Sequence, residues 1–295
     1  MPETNWVKPE ENISQAFEHD MHTLPEETNI LFIGGLHRSG TSMIHRIIRQ
    51  HPRISGFIGT GVPEDEGQHL QSIIPTAGKA GGPGRFCFNP KAAMDESHPL
   101  CDEQNAARLL SQWLKHWDGS KQILVEKSPP NLIRTRFLQG LFPKAHFLII
   151  IRHPVAVAYA THKFIGKRSP GIRHLIRHSL EGYRIFARDY LHLHQVVVIR
   201  YEDFVRRPDD TLKPVYKSLG IEPVECREPI HGDVNRSYLD QWAHDNRPIR
   251  RLFPWKKPLV EADGRHKMDL LGYRVDDESV SASPPDLAAL ASLPD

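Results

Sequence analysis

Cysteine is scarce in this chain of 295 residues: Cys87, Cys101 and Cys226 are an odd set with no C-x-x-C pair. That excludes a framework of paired disulfides and a four-cysteine structural zinc site, and it suits a reducing compartment. Long apolar runs are absent too. The longest, HFLIII at residues 146–151, falls far short of the roughly 20 residues that a membrane-spanning helix needs. Residues 1–17 carry early acids and no apolar core, so no secretory leader is expected there and the protein is expected to be cytoplasmic. Neither sign of charge dominates: 38 Lys and Arg face 36 Asp and Glu, a net charge of +2. A nucleic-acid binder would show a clear basic excess.

Three apolar, β-branched runs are present: NILFIGG at 29–35, AHFLIII at 145–151 and QVVVIR at 195–200. They predict buried parallel strands, and the shorter QILVE at 122–126 predicts a fourth. Their apolar character is continuous rather than alternating, as in a sheet covered on both faces. Between them, apolar residues recur at helical spacing over 41–50, 106–117 and 174–192. Strands that alternate with helices predict an α/β fold with crossover connections. Residues 75–99 are rich in Gly and Pro and predict a long insertion loop, of the kind that serves as a lid or binding segment. The stretch over 276–295, polar and then weakly helical, predicts a flexible tail. No clean linker or repeat divides the rest, so residues 1–275 read as a single domain.

The stretch GGLHRSGTS, residues 34–42, looks like a phosphate-binding loop without its lysine. Gly35 and Gly40 hold the two glycine positions of G-x-x-x-x-G-K-[ST]. Thr41 stands where the lysine belongs, Ser42 follows, and Arg38 lies inside the loop. The loop leaves an apolar strand and opens an amphipathic helix. In that context backbone N–H groups curl around an anion at the positive end of the helix. Thr41 and Ser42 add hydroxyl donors. In nucleoside-triphosphate enzymes the lysine reaches the β- and γ-phosphates, and the Ser or Thr holds magnesium. Here the strand at 146–151 ends in Arg152 rather than an acid. Glu126 ends another strand, but Lys127 beside it opposes a cation. The site therefore reads as cationic and metal-free.

These residues resemble the sulfotransferase family. R-S-G-T-S followed by M-I-x-x-I-I-x-x-H-P is similar to its 5′-phosphosulfate loop, closest to the bacterial and tyrosylprotein branch. The resemblance spans about residues 30–242. It implies an enzyme that binds 3′-phosphoadenosine-5′-phosphosulfate (PAPS) and transfers its sulfuryl group, without a metal, to a hydroxyl or amine. His37, Arg38, Ser39, Gly40, Thr41 and Ser42 would then form the donor cradle. In LFPKAHFLIIIRHPVAVAYATH (141–162), Arg152 would hold the 3′-phosphate. The family's usual Ser eight residues later is Ala160 here, with Thr161 next to it. In VEKSPPNLIRTRFL (125–138), Lys127 would stabilise the charge that develops on the departing phosphate. IRYEDFVRRPDDTL (199–212) is similar to the segment that borders the adenine, which makes Tyr201 a nucleotide contact or a packing residue. HGDVNRSYLDQW (231–242) resembles a segment that folds over the nucleotide, so Asn235, Arg236 and Ser237 would face the ligand while Trp242 packs.

A base on the acceptor helps sulfuryl transfer to an alcohol, and members of the family use Glu or His for it. The segment IGTGVPEDEGQHLQ (58–71) offers Glu64, Asp65, Glu66 and His69 on the lip of an expected helix. Acids there also suit a helix's first turn. Glu66 is the first choice, with Glu64 and His69 the alternatives, and His37 lies in the loop itself. The expected fold is a P-loop-like three-layer sandwich with a central parallel sheet flanked by helices. The acceptor is a small molecule, a carbohydrate or a lipid, and the aromatic GGPGRFCFNP (81–90) is a candidate lining for its pocket. The rivals are an ATP- and magnesium-dependent small-molecule kinase, and a non-catalytic nucleotide-binding protein on the same fold.

Overall fold

The computed structural model describes residues 28–230, 234–245, 259–275, 277, 280, 281 and 283–294. The expectation about residues 1–17 lies outside the described residues. All four predicted strands form, and a fifth joins them: β1 (Asn29–Gly35), β2 (Ile54–Gly56), β3 (Ile123–Lys127), β4 (His146–Ile151) and β5 (Val196–Arg200). The order across the sheet is β2-β3-β1-β4-β5, and every neighbouring pair is parallel. Three-residue β2 is too short to show a period in the sequence. It finds its place by pairing with β3, Ile54 opposite Ile123.

The strands are apolar throughout because both faces are covered. Leu31, Ile33, Val125, Leu148 and Ile150 point to one side, where they meet α1 (Thr41–Ile48) and α7 (Pro208–Ser218) through Ile44, Ile47, Leu212 and Val215. Phe32, Leu124 and Phe147 point to the other, against Trp113 of α2 (Glu103–Trp113) and Phe137 of α3 (Thr135–Leu141). Ile149 and Ile151 on that face pack with α4 (Pro154–Ile165) and α5 (Ile172–Tyr190). Each such side chain contributes about 1.5–3 kcal/mol by leaving water, so the three layers hold one another together. The chain leaves β1, β3, β4 and β5 on the same edge, and that edge gathers the residues of the site. In open α/β sheets this carboxyl edge is where ligands bind.

Three sequence expectations change. First, residues 58–71 form two 3₁₀ turns, Pro63–Asp65 and Gly67–His69, rather than a helix. Glu64 and Asp65 are both left-handed, with φ of 55° and 48°, and this breaks any helix there. Second, the Gly/Pro-rich segment 75–99 is a loop without α-helix or strand, but a packed one. It makes 3₁₀ turns at Ala77–Ala80 and Phe86–Phe88, and Phe86, Cys87 and Ala92 are buried in the core beside α5. Third, the tail is packed rather than flexible where it is described. Helix α10 (Leu287–Ser292) follows α6 (Tyr201–Arg206), α8 (Val234–Asp245) and α9 (Ala262–Leu270) in the chain, and it buries Leu287 and Leu290 in the same core. Among the described residues no helix is long and apolar enough to cross a membrane.

Candidate active site

The loop between β1 and α1 is built around backbone close approaches. Gly40 precedes α1 with φ 101°, and no side chain caps the helix there. A Cβ on Gly40 would lie 2.6 Å from the ring of Tyr201, so only glycine lets the loop settle on that ring. Arg38 is also left-handed, at φ 69°. Its carbonyl accepts a hydrogen bond from Arg152 Nη1 at 2.6 Å, which holds the strained residue in place. Among the described residues the buried Ser39 hydroxyl has no partner, nor has His37 Nδ1. Burial, followed by the neighbouring Lys127, His69 and Arg38, pushes the His37 imidazole down to about 3, so it is neutral at physiological pH. The loop thus offers uncapped helix N–H groups, an unused hydroxyl and an exposed guanidinium. Those are the groups a phosphate-type anion takes up, and the residues present fit the phosphosulfate that the sequence implies.

Two polar clusters flank the loop. The first is centred on Lys127 at the end of β3, where the side chain is fully buried. Its ammonium donates to Ser42 Oγ at 3.2 Å, to the Glu64 carbonyl at 2.8 Å and to Glu66 Oε1 at 3.2 Å. The hydroxyl that would hold magnesium in a nucleoside-triphosphate loop therefore accepts from a lysine. Glu66 is 6% exposed and receives a second bond from the Gln68 side chain. His69 Nε2 stands 3.9 Å from Glu66 and is half-exposed. Glu64 contributes its backbone, and its side chain is exposed. Among the acids of 58–71, then, Glu66 is the one that the fold buries beside the lysine.

The second cluster is centred on Arg152 after β4. Its guanidinium lies 4.1 Å above the Tyr201 ring and donates to Asn235 Oδ1 from both Nε and Nη2, at 2.9 and 2.6 Å. Asn235 passes the contact on to Glu202, which also accepts from the His153 N–H and the Tyr273 hydroxyl. Arg152 thus ties the loop at 34–42 to α8 with three of its five N–H groups. Thr161 is buried, and its hydroxyl makes a long 3.5 Å contact with the His37 carbonyl. Ser237 is exposed on α8.

Four polar residues that the sequence did not single out for the site prove central: Gln68, Ser128, Asn131 and Glu202. Glu126, weighed only as a metal ligand, is a buried anchor. It accepts from the Ser128 hydroxyl at 2.5 Å and from the Asn131 side chain. Burial pushes its carboxyl up to about 7. The Ser128, Asn131 and Lys127 contacts pull it down, and Glu66 pushes it up. A Cβ on Gly67 would lie 2.8 Å from the Glu126 carboxyl carbon, so the turn that carries Glu66 presses directly on it. The one sequence signal for Glu126, Ser128 and Asn131 was their closeness in the chain to Lys127. Among the described residues no three His, Cys, Asp or Glu side chains gather as metal ligands.

The chain belongs to the sulfotransferase family, whose model matches residues 31–225. It is 25% identical over 283 residues to nodulation protein NoeE of Sinorhizobium fredii, covering 82% of this chain and 64% of the relative. Over 166 residues it is 25% identical to omega-hydroxy-beta-dihydromenaquinone-9 sulfotransferase Stf3 of Mycobacterium bovis, 52% of this chain and 42% of that one. It is also 23% identical over 228 residues to protein-tyrosine sulfotransferase 2 of Gallus gallus, 72% of this chain and 56% of the relative. The chain therefore spans roughly two fifths to two thirds of the length of the curated relatives it matches.

Proposed function

We propose that the protein transfers the sulfuryl group of PAPS to a hydroxyl or amine acceptor. The single observation that carries this reading is the Lys127 ammonium. It is buried, bonded to the loop hydroxyl of Ser42 and paired with Glu66. An acid, a base and an anion cradle thereby meet at one point. The bound donor supplies an activated sulfuryl group whose leaving group is a phosphate. The loop from His37 to Ser42, with Arg38, holds that anion. Lys127 stands where negative charge grows on the leaving oxygen and needs no proton transfer to neutralise it. Glu66 takes the acceptor's proton as its oxygen bonds to sulfur. Arg152 uses its two remaining N–H groups on the 3′-phosphate, and Tyr201 borders the nucleotide. Asn235 fixes the Arg152 plane, while Glu64, His69, Thr161 and Ser237 stand around the same edge.

No metal enters this scheme, because the cation beside Ser42 is an ammonium. A small molecule, carbohydrate or lipid is the proposed acceptor, and likeness to the mycobacterial omega-hydroxy-beta-dihydromenaquinone-9 sulfotransferase supports the lipid option. A cytoplasmic site of action goes with the free cysteines.

Incubation with radiolabelled PAPS and an extract of the host tests the proposal by yielding a labelled product. An Arg38→Ala protein should lose both nucleotide binding and labelling. If it keeps both, the donor site lies elsewhere.

A further inference from the structure

Gln68 joins three parts of the site. Its side chain is 6% exposed. The amide nitrogen donates to Glu66 Oε2, while the amide oxygen accepts from the Ala77 N–H at 2.7 Å. Its own backbone N–H donates to Ser128 Oγ at 2.9 Å, and Ser128 in turn donates to the buried Glu126. These bonds fix which way the amide points. A backbone N–H can only donate, so the Gln68 oxygen must face Ala77 and the NH₂ must face the carboxylate. Glu66 is then held from two sides, by Lys127 on Oε1 and by Gln68 on Oε2.

We propose that Gln68 is the positioning residue of the acid–base site. It aims the Glu66 carboxylate and ties that aim to the packing of segment 75–99 through Ala77. This rests on the reading of Glu66 as the base. Loss of Gln68 leaves the carboxylate anchored on one oxygen only, so it swings out of line with the acceptor.

Two variants separate aiming from simple anchoring. Gln68→Met keeps the volume and loses both side-chain bonds. Gln68→Glu keeps an acceptor for Ala77 but sets a second carboxylate against Glu66. The assay is single-turnover conversion of PAPS to adenosine 3′,5′-bisphosphate, with water or a simple alcohol as acceptor. The Kd for adenosine 3′,5′-bisphosphate and the melting temperature are read alongside. We expect both variants to slow turnover by about 30-fold or more. Nucleotide affinity should stay within about twofold and folding should stay intact. In a Glu66→Gln background, Gln68→Glu should cost nothing further, because it acts only through Glu66. Wild-type turnover in Gln68→Glu, or losses that multiply in the double variant, overturns the positioning role. Full turnover in Glu66→Gln alone overturns instead the assignment of the base.

Discussion

Lys127→Met tests the core of the site. The substitution removes a fully buried ammonium with three acceptors, at 3.2, 2.8 and 3.2 Å, and leaves Glu66 buried without its lysine. Met nearly matches the lysine stem in volume, so cavity formation contributes little. What remains is the cost of one unpaired buried charge, about 3–5 kcal/mol for breaking such a pair. For a chain somewhat larger than 150–250 residues, each kcal/mol moves the melting temperature by roughly 2 °C. The expected fall is therefore roughly 6–10 °C. Glu66→Gln in the same background removes the stranded charge and should restore most of that loss. The assay is thermal unfolding of the four proteins of the cycle at pH 7.5, with turnover followed in parallel. Turnover should be lost in both proteins that lack the lysine, including the restabilised one. A melting temperature within 2 °C of wild type for Lys127→Met, or strictly additive effects in the double variant, would refute the buried-pair reasoning.

Glu126 makes stability depend on pH in a defined window. Its carboxyl is raised from 4.5 to about 7, so between these values the folded state binds more protons than the unfolded one. The site's contribution is full below pH 4.5 and is lost as pH rises through about 7. Urea unfolding at pH 5 and pH 8 should show that loss, about 3 kcal/mol, in the wild type and not in Glu126→Gln. His178 works in the opposite sense: burial, then the nearby His37 and His174, lower it to about 3. Its stabilising contribution is present above pH 6.5 and falls away as pH drops towards 3, and replacement by Phe should make that acid limb shallower, with buried His37 and His45 supplying the rest. Gly40→Ala should destabilise the loop and abolish nucleotide binding in calorimetry, because a Cβ would meet the Tyr201 ring at 2.6 Å. Ala160→Ser should tighten binding of adenosine 3′,5′-bisphosphate by roughly 2- to 12-fold, the value of one added hydrogen bond. Unchanged affinity would show that Ala160 does not face the 3′-phosphate.

The sequence by itself determined the parallel core, the glycine-rich loop and its strand-loop-helix setting. Each rests on a local pattern, either an apolar run or a fixed spacing of Gly, Arg and hydroxyl residues. It also placed Lys127 and Arg152 at strand ends, because a charge that terminates an apolar run is visible in one dimension. Only the tertiary structure decided which acid of 58–71 is buried. Glu64 and Glu66 are two residues apart and chemically alike. The left-handed turn at Glu64 and Asp65 exposes the one side chain and delivers the other to Lys127, 61 positions away. The packing of the insertion was hidden for a related reason. Its glycines and prolines deny it a regular period, yet Phe86 and Cys87 bury themselves against α5 through contacts across some 90 residues. Gln68 and Glu202 left no signal in the sequence, because what each one does depends on partners that only the folded chain brings to within 3 Å.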